Sequence, residues 1–532
     1  MSNRTVFVAG LILAMLMLGV LVGHFYSFTV DDAYISFRYA SNLAAGDGLV
    51  FNLGERVEGY TNFLWTMLLG LLIRFGSDPE LVSKVLGILF AFATLVLIGD
   101  TSRKLMPDRP WFNTITALLL VTSPSFAIYA VSGLETAMFA CLLVLAIRLF
   151  LHEESSPNGM QWSWLVLFLL TLTRPEGLLF FGLFAAAKFL PERKARRLAA
   201  WALPYLALLV AYLAWKYVYF GNLLPNTFYA KTGRGLYQFM GGLFYTYSYF
   251  KSYGGVMTII LVLLPLAAWR HLKPMQKKAT GLLLVSFVAW VAYSVYKGHD
   301  PLPSFRFFVL VLPVTLLLMT HGLAVLQEAI GKLNNGNRWG NWAARVMTVL
   351  IVGLLVFQNL VVTYLSTAGK PQMREYQIQI AGMDARHEFI PMGRALAQLA
   401  PADARIAVID AGAIPYYSKL YTIDRWGLID PHIARRKGGG KVGEKFDAPY
   451  VLSKRPEFIQ TKMYRSGYRR LMQRTSVHLD DFDWPGDMYL FLDSGFTADY
   501  QMCDEPVLDG FFIRKDVLPP STDIDTVHNE EP

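Results

Sequence analysis

The sequence predicts a polytopic α-helical membrane protein, with about eleven spans and a C-terminal soluble α/β domain. Three observations carry this reading. Of 532 residues, 54% are hydrophobic and only 17% charged, whereas soluble domains run to about 25% charged. The apolar residues gather in runs of span length. After Tyr364 those runs stop and charge returns. The same figures exclude a disordered chain and an ordinary soluble enzyme. The net charge of +9 reads as basic loops on one membrane face rather than as a nucleic-acid footprint. Cys141 and Cys503 supply neither a disulfide framework nor a zinc site.

The first apolar run, residues 6–28, follows Arg4. It lacks the short core and small-residue cleavage site of a signal peptide, so it reads as an uncleaved first span. A polar stretch, 29–61, comes next. Residues 60–75 (YTNFLWTMLLGLLIRF) read as a short helix at the outer surface. Counting them as a span would place Arg103, Lys104 and Arg109 outside. Further runs lie at 81–98, 112–131, 134–151, 162–173, 177–190, 198–220, 256–269, 281–296, 307–326 and 346–364. Basic residues gather in alternate loops: Arg103, Lys104 and Arg109; Lys188, Arg193, Lys194, Arg196 and Arg197; Arg270, Lys273, Lys277 and Lys278; Lys332 and Arg338. These loops are expected to be cytoplasmic, which puts the N-terminus inside and the C-terminus outside.

The expected domains are a membrane domain at 1–365 with a first outer loop at 29–80, a periplasmic α/β domain at 366–518, and a disordered acidic tail at 519–532. Within the soluble part, residues 405–410 read as a buried strand ending in a turn at Gly412. Residues 373–399 read as a helix, 487–493 as a second strand, and 435–474 as a basic, Gly-rich loop.

The chemistry sits in the outer loops. Asp31 and Asp32 directly follow the first span, with Tyr34 and Arg38 after them. A carboxylate there suits a general base toward a sugar hydroxyl, or a divalent cation. The alternative is that the pair caps the next helix, a common use of Asp. Residues 52–62 carry Glu55, Arg56, Glu58, Tyr60 and Asn62 without an apolar period, so they read either as a polar cleft or as a solvated loop. Later outer turns hold Glu135, then Arg174 and Glu176, then Asn226 and Lys231, then His299, Asp300 and Arg306. Ionisable groups at membrane depth are costly and usually functional, although any single one can be a snorkelling helix-end residue. Together they suggest a site for an anionic, hydroxyl-rich substrate. Arg174, Lys231 and Arg306 are candidate phosphate partners.

These residues also carry a family resemblance. DDAYISFRYASNLAAGDGLVFNLGERVEGYTNFLW (31–65) resembles the first outer loop of GT-C glycosyltransferases, in the group of the mycobacterial terminal β-(1→2)-arabinofuranosyltransferase. Bacterial proteins with lipopolysaccharide or flagellar-motor assignments share that loop. SGLET (132–136), TRPEG (173–177), PNTFYAK (225–231), HDPLPSFR (299–306) and VIDAGAIPYYSKLYTIDRWGLIDPHIAR (408–435) extend the match. The resemblance implies transfer of a sugar, arabinofuranose or a similar pentose, from a polyprenyl-phosphate donor to an envelope glycan, usually with inversion. It also implies the periplasmic face of a bacterial cytoplasmic membrane. Asp31 matches the base position, with Asp32 as helper or alternative. Arg38, Glu58, Arg174, Lys231 and Arg306 match donor or phosphate positions. Tyr34, Tyr60, Asn62, Glu135, Glu176, Asn226, His299 and Asp300 match positions lining the site.

The family turn often reads Gly-Gly-Asp-Trp-Met. Here Lys297-Gly298-His299-Asp300-Pro301 keeps the aspartate and loses the aromatic. No organic cofactor is required, and the sequence offers no decisive metal-ligand set, so a divalent cation stays open. Competing readings are a non-catalytic envelope or motility factor with the same fold, a hexose or aminosugar transferase, and a transporter. The last would place ionisable residues near the midplane.

Overall fold

The structure is a computed structural model that describes residues 3–156, 159–189, 195–232, 235–333, 338–367, 384–437, 445–472 and 482–517. The expected acidic tail lies outside the described residues. The chain divides into two compact units that are interleaved in sequence. The first holds Met1–Ala45, Thr61–Leu223 and Leu236–Asp384, and the second Gly46–Tyr60, Leu224–Gly235 and Ala385–Pro532.

The first unit is helical. Among the described residues, seven helices are long and apolar enough to cross a membrane: Arg4–Phe25, Pro79–Leu105, Thr136–Ser155, Arg196–Phe220, Pro274–Lys297, Leu312–Lys332 and Arg338–Val362. Two bent pairs raise the count to nine if each is one span. The expected eleven runs divide accordingly. Run 112–131 is the pair Pro110–Thr122 and Pro124–Val131, bent by 59°. Run 256–269 is the second limb of Gly235–Ser252 and Gly255–Leu266, bent by 92°. Runs 162–173 and 177–190 form Ser163–Thr173 and Gly177–Lys188, each under span length. Phe63–Ile73 has 11 residues, or about 16 Å at 1.5 Å per residue. That is short of a hydrocarbon core of roughly 30 Å.

Local chemistry explains the helix limits. Pro79–Leu105 begins with Asp78 accepting from the Leu81 amide, has Pro79 in its first turn and Glu80 beside it, and ends on Arg103 and Lys104. Each of these suits the helix dipole or satisfies a free amide. The 59° bend falls at Ser123–Pro124, where proline removes a backbone donor. The 92° bend falls at Gly254, whose φ of +83° is open to glycine at little cost.

The second unit is α/β. Its described strands are β1 (Arg405–Val408), β2 (Tyr421–Asp424), β3 (Phe458–Gln460), β4 (Tyr500–Met502) and β5 (Phe511–Arg514), in the order β2-β1-β3-β5-β4. β1 runs parallel to β2 and β3, and β5 runs antiparallel to β3 and β4. The expected strand at 405–410 is present as β1. The expected strand at 487–493 is instead part of the helix Pro485–Phe491. Proline in its first turn favours a helix start, and seven residues are too few for apolar period to separate the two states. The expected loop at 435–474 contains β3 and the helices Ala448–Ser453 and Arg465–Leu471. Of the helix expected at 373–399, Phe389–Leu399 is seen, and 373–383 lie outside the described residues. Cys141 and Cys503 are separate buried thiols.

The free edge of β2 is covered by the second unit's own N-terminal segment. The Asn52 side-chain amide donates to the Thr422 carbonyl at 2.9 Å and accepts from the Thr422 amide at 3.1 Å. Tyr421 donates to Glu55 at 2.6 Å. Both backbone groups of Thr422 on this edge are thereby satisfied by one side chain.

Candidate active site

In the first unit, Asp31 and Asp32 are half-buried directly after the first span. Their carbonyls accept from the Tyr34 and Ile35 amides at 3.0 and 3.3 Å, so they open the helix Ala33–Ala45. The Val30 amide donates to the Ser132 carbonyl at 3.1 Å, and Val30 pairs with Asp384. This brings the DDAY and SGLET motifs together. Gly133 makes the approach possible. Its φ is +86°, and a Cβ there would stand 2.7 Å from the Ala33 Cβ.

One carboxylate that sequence reasoning missed holds both sides of the Asp pair. Glu80 accepts from the Thr29 hydroxyl at 2.7 Å, the Tyr34 hydroxyl at 2.8 Å and the Lys84 ammonium at 2.7 Å. Lys84 also donates to the Tyr26 carbonyl at 2.8 Å. In sequence, Asp78-Pro79-Glu80 looks like an ordinary helix start, which hides this second role.

A buried polar lattice joins three motifs. The Asn62 amide donates to Glu135 at 2.8 Å, and Arg174 donates to the other Glu135 oxygen at 2.5 Å. Arg174 also forks onto Glu176 at 3.2 and 3.3 Å. Tyr293 donates to Glu176 at 3.1 Å, and the Lys297 ammonium lies 3.4 Å away. Asn62 exchanges hydrogen bonds with Ser36, and the Trp65 indole donates to the Gly133 carbonyl at 3.1 Å. Glu135, Arg174 and Glu176 are all buried. Such groups persist only when paired and hydrogen-bonded. Arg38 is buried too, and burial pulls its guanidinium down to about 10, against the field of Tyr39.

The HDPLPSFR turn adds a second ion pair. Arg306 donates twice to Asp300, at 3.0 and 3.2 Å, and both are buried. Ser304 and Phe305 just before it have φ of +56° and +55°, a conformation that costs non-glycine residues about 1–3 kcal/mol each. Surrounding bonds hold it. Tyr129 donates to the Pro303 carbonyl at 2.5 Å, and the Trp290 indole to the Phe307 carbonyl at 3.0 Å. Lys297, Arg174 and Arg306 stand 3.4, 5.5 and 5.9 Å from the Phe307 ring centre, close enough for cation–π attraction. His299 is exposed.

The remaining expected residues belong to the second unit. Glu58 and Tyr60 are buried there, and the Glu58 carbonyl accepts from the Asn226 amide at 2.8 Å. The Asn226 side chain donates to the Gly427 and Leu428 carbonyls at 2.9 and 3.1 Å. Lys445 donates to the carbonyls of Tyr229 and Thr232 at 2.5 and 3.1 Å. Lys231 ends the helix Asn226–Lys231 and is exposed. The VEGY and PNTFYAK segments and the 408–435 motif are thus assembled with one another. Among the described residues, no three His, Cys, Asp or Glu side chains converge as metal ligands would.

Three comparisons set this geometry among known proteins. Residues 371–503 match a domain of unknown function (DUF8728). A terminal β-(1→2)-arabinofuranosyltransferase of Mycobacterium tuberculosis is 29% identical over 245 residues, 43% of this chain. The match spans 39% of that relative's length. A crystal structure of ArnT from Cupriavidus metallidurans bound to undecaprenyl phosphate superposes with TM-score 0.56 at 14% identity, over 97% of this chain and 99% of that one. An apo oligosaccharyltransferase of Archaeoglobus fulgidus gives TM-score 0.50 at 12% identity, over 80% of this chain and 65% of that one. The fold is the one that the ArnT structure shows.

Proposed function

We propose that this GT-C-fold protein is a membrane glycosyltransferase. It moves a sugar, arabinofuranose or a similar pentose, from a polyprenyl-phosphate donor to a hydroxyl of a cell-envelope glycan. The observation that carries the reading is the buried lattice Asn62–Glu135–Arg174–Glu176 set beside the adjacent carboxylates Asp31 and Asp32. Further support comes from the relative named as an arabinofuranosyltransferase and from the undecaprenyl phosphate bound to ArnT.

The chemistry asks little of the protein. The acceptor oxygen attacks the anomeric carbon and gives its proton to Asp31, with Asp32 beside it as helper. The bond from the anomeric carbon to the phosphate oxygen breaks, and the phosphate leaves with the electron pair. Inversion follows from attack opposite the leaving group. Arg174 and Arg306, with Lys297 as a further cation, meet the departing phosphate. Glu135 and Glu176 aim Arg174, and Asp300 aims Arg306, so the cations are already oriented when charge develops. Arg38 contributes to the donor site. Tyr34, Asn62 and His299 line the substrate path and supply hydrogen-bond partners. Positioning and electrostatics then account for most of the rate, and a positioned base adds about 10²–10⁴-fold.

In this reading the Asp31 end of the helices faces the periplasm, because basic residues such as Arg103, Lys104 and Lys188 sit at the other end. The test is transfer by the purified protein in sealed vesicles loaded with polyprenyl-phosphate arabinofuranose. Asp31→Asn is expected to cut turnover at least about 10²-fold with the thermal unfolding midpoint retained. Unimpaired turnover in that variant overturns the assignment. Transfer to acceptor presented only on the face of the basic loops overturns the orientation.

A further inference from the structure

Three parallel strands of the second unit end on one edge, and the chain leaves two of them in opposite directions. From β1 it turns toward β2. From β3 it turns toward β5 and β4. In open α/β sheets, ligands bind outside the carboxyl ends of strands at such a switch point. The residues that flank it are 409–412 after β1 and 461–463 after β3.

Those residues form a built arrangement. The Lys462 ammonium lies 2.5 Å from the Asp410 carboxylate. Gln460 spans the two strand ends. Its oxygen accepts from the Ile409 and Asp410 amides at 2.9 and 3.1 Å, and its nitrogen donates to Asp410 at 2.8 Å. Gln460 is buried, whereas the Asp410 and Lys462 side chains keep 21% and 27% of their exposure. A second ion pair on the same edge behaves differently. Arg425 and Asp487 pair at 2.9 Å with almost no exposure, between the rings of Phe446 and Trp484. Asp487 also accepts from the Lys462 amide at 2.7 Å, so the sealed pair braces the open one.

The rim is acidic and aromatic. Tyr464 donates to Glu388 at 2.9 Å and remains partly exposed. Burial raises the Tyr464 hydroxyl's pKa, and the carboxylates of Glu388, Asp410 and Asp509 act in the same direction. Lys462 lies 5.6 Å from the Phe389 ring centre.

We infer that this strand-end cluster binds hydroxyl groups of a carbohydrate, with Asp410 accepting from a sugar diol, Lys462 donating to a ring or hydroxyl oxygen, and Tyr464 offering a ring face to sugar C–H groups. An anion is disfavoured, since Asp410, Glu388 and Asp509 would all repel it. A cation is disfavoured because no metal-ligand cluster occurs among the described residues. The inference gives the acceptor glycan of the proposed transferase a location, and in that respect rests on the reading above.

The test uses the full chain in nanodiscs with three probes: α-1,5-arabinohexaose, mannohexaose and isomaltohexaose. At least one is expected to bind the wild-type protein and to slow hydrogen exchange at 409–412 and 461–464. Asp410→Asn with Lys462→Met should weaken that binding about tenfold or more, as lost charge-assisted hydrogen bonds do, while undecaprenyl phosphate still raises the unfolding temperature. Binding by none of the probes, protection elsewhere, or unchanged affinity in the double variant overturns the strand-end site. Oligosaccharide binding without any response to undecaprenyl phosphate supports the strand-end site and overturns the transferase reading instead.

Discussion

The two ends of the helical unit both contain buried ion pairs, yet they differ in kind. At one end, Lys188 pairs with Glu153 at 2.8 Å and Lys278 with Glu154 at 2.6 Å. Glu153 also accepts from the Ser163 amide and hydroxyl, and Trp201 donates to that hydroxyl. All these partners lie on helices or at their starts, and two lysines meet two glutamates, Lys188 standing 3.6 Å from Glu154 as well. At the other end, Arg174 and Lys297 share two carboxylates, Arg306 takes a third and Lys84 a fourth. There the pairs adjoin Asp31 and Asp32, and the turn before Arg306 carries two strained residues. Glu135 and Glu153 are 18 positions apart, about 27 Å along one helix. Buried ion pairs alone therefore do not mark a site. Acid in excess, together with backbone strain that the surroundings must hold, is the better sign.

The largest test of that contrast is a matched pair of truncations. Arg174→Leu and Lys188→Leu each strand buried carboxylates, so each should cost about 3–5 kcal/mol of stability. Only Arg174→Leu should also lower turnover per folded molecule, by about 10²-fold. Thermal unfolding and single-turnover rates separate the two effects, and an equal turnover loss in Lys188→Leu would dissolve the distinction. Glu80→Gln is a smaller perturbation, since it keeps the shape and loses the charge that grips Thr29, Tyr34 and Lys84. It should lower kcat about tenfold with little change in donor KM. A change confined to KM would make Glu80 a donor-binding residue rather than a positioning one.

The smallest effect is expected in the second unit. Burial pushes the Asp424 carboxyl up to about 7, against amide bonds from Ile429 and Trp426 that favour its charge. Its folded pKa lies above the unfolded value of about 3.9. The folded form therefore holds the proton more tightly. That contribution is complete below about pH 4 and is lost as pH rises through about 7. Hydrogen exchange at 425–429 should quicken from pH 5 to pH 8 beyond the intrinsic rise, and Asp424→Asn should flatten the excess. An identical excess in the variant would place the titration elsewhere.

Much of this organisation is legible in the sequence, where a long apolar run or a dense polar motif carries its own signal. The seven long helices and the clusters around Asp31, Glu135, Arg174 and Asp300 are of that kind. What was not legible depends on partners far along the chain. Glu80 looks like a routine helix start until Thr29 and Tyr34 fold onto it. β3 has three residues, Phe458–Gln460, and owes its state to β1 and β5 rather than to propensity. Helix 485–491 reads equally as a strand because its apolar residues are too few to show a period. The bends at Pro124 and Gly254, with the two short helices Ser163–Thr173 and Gly177–Lys188, explain why apolar length overstated the number of straight spans.

The cover on the β2 edge has a consequence in time. Asn52 and Thr422 are 370 positions apart. At synthesis rates of about 5–20 residues per second, Asn52 emerges roughly 20–75 s before its partner exists. Residues 46–60 and 224–235 are therefore made well before residues 385–532, with which they form one unit. A fragment made from residue 385 onward would begin with β2 uncovered and its edge open to other chains. Supplying the 46–60 segment in trans should be the way to keep such a fragment monomeric.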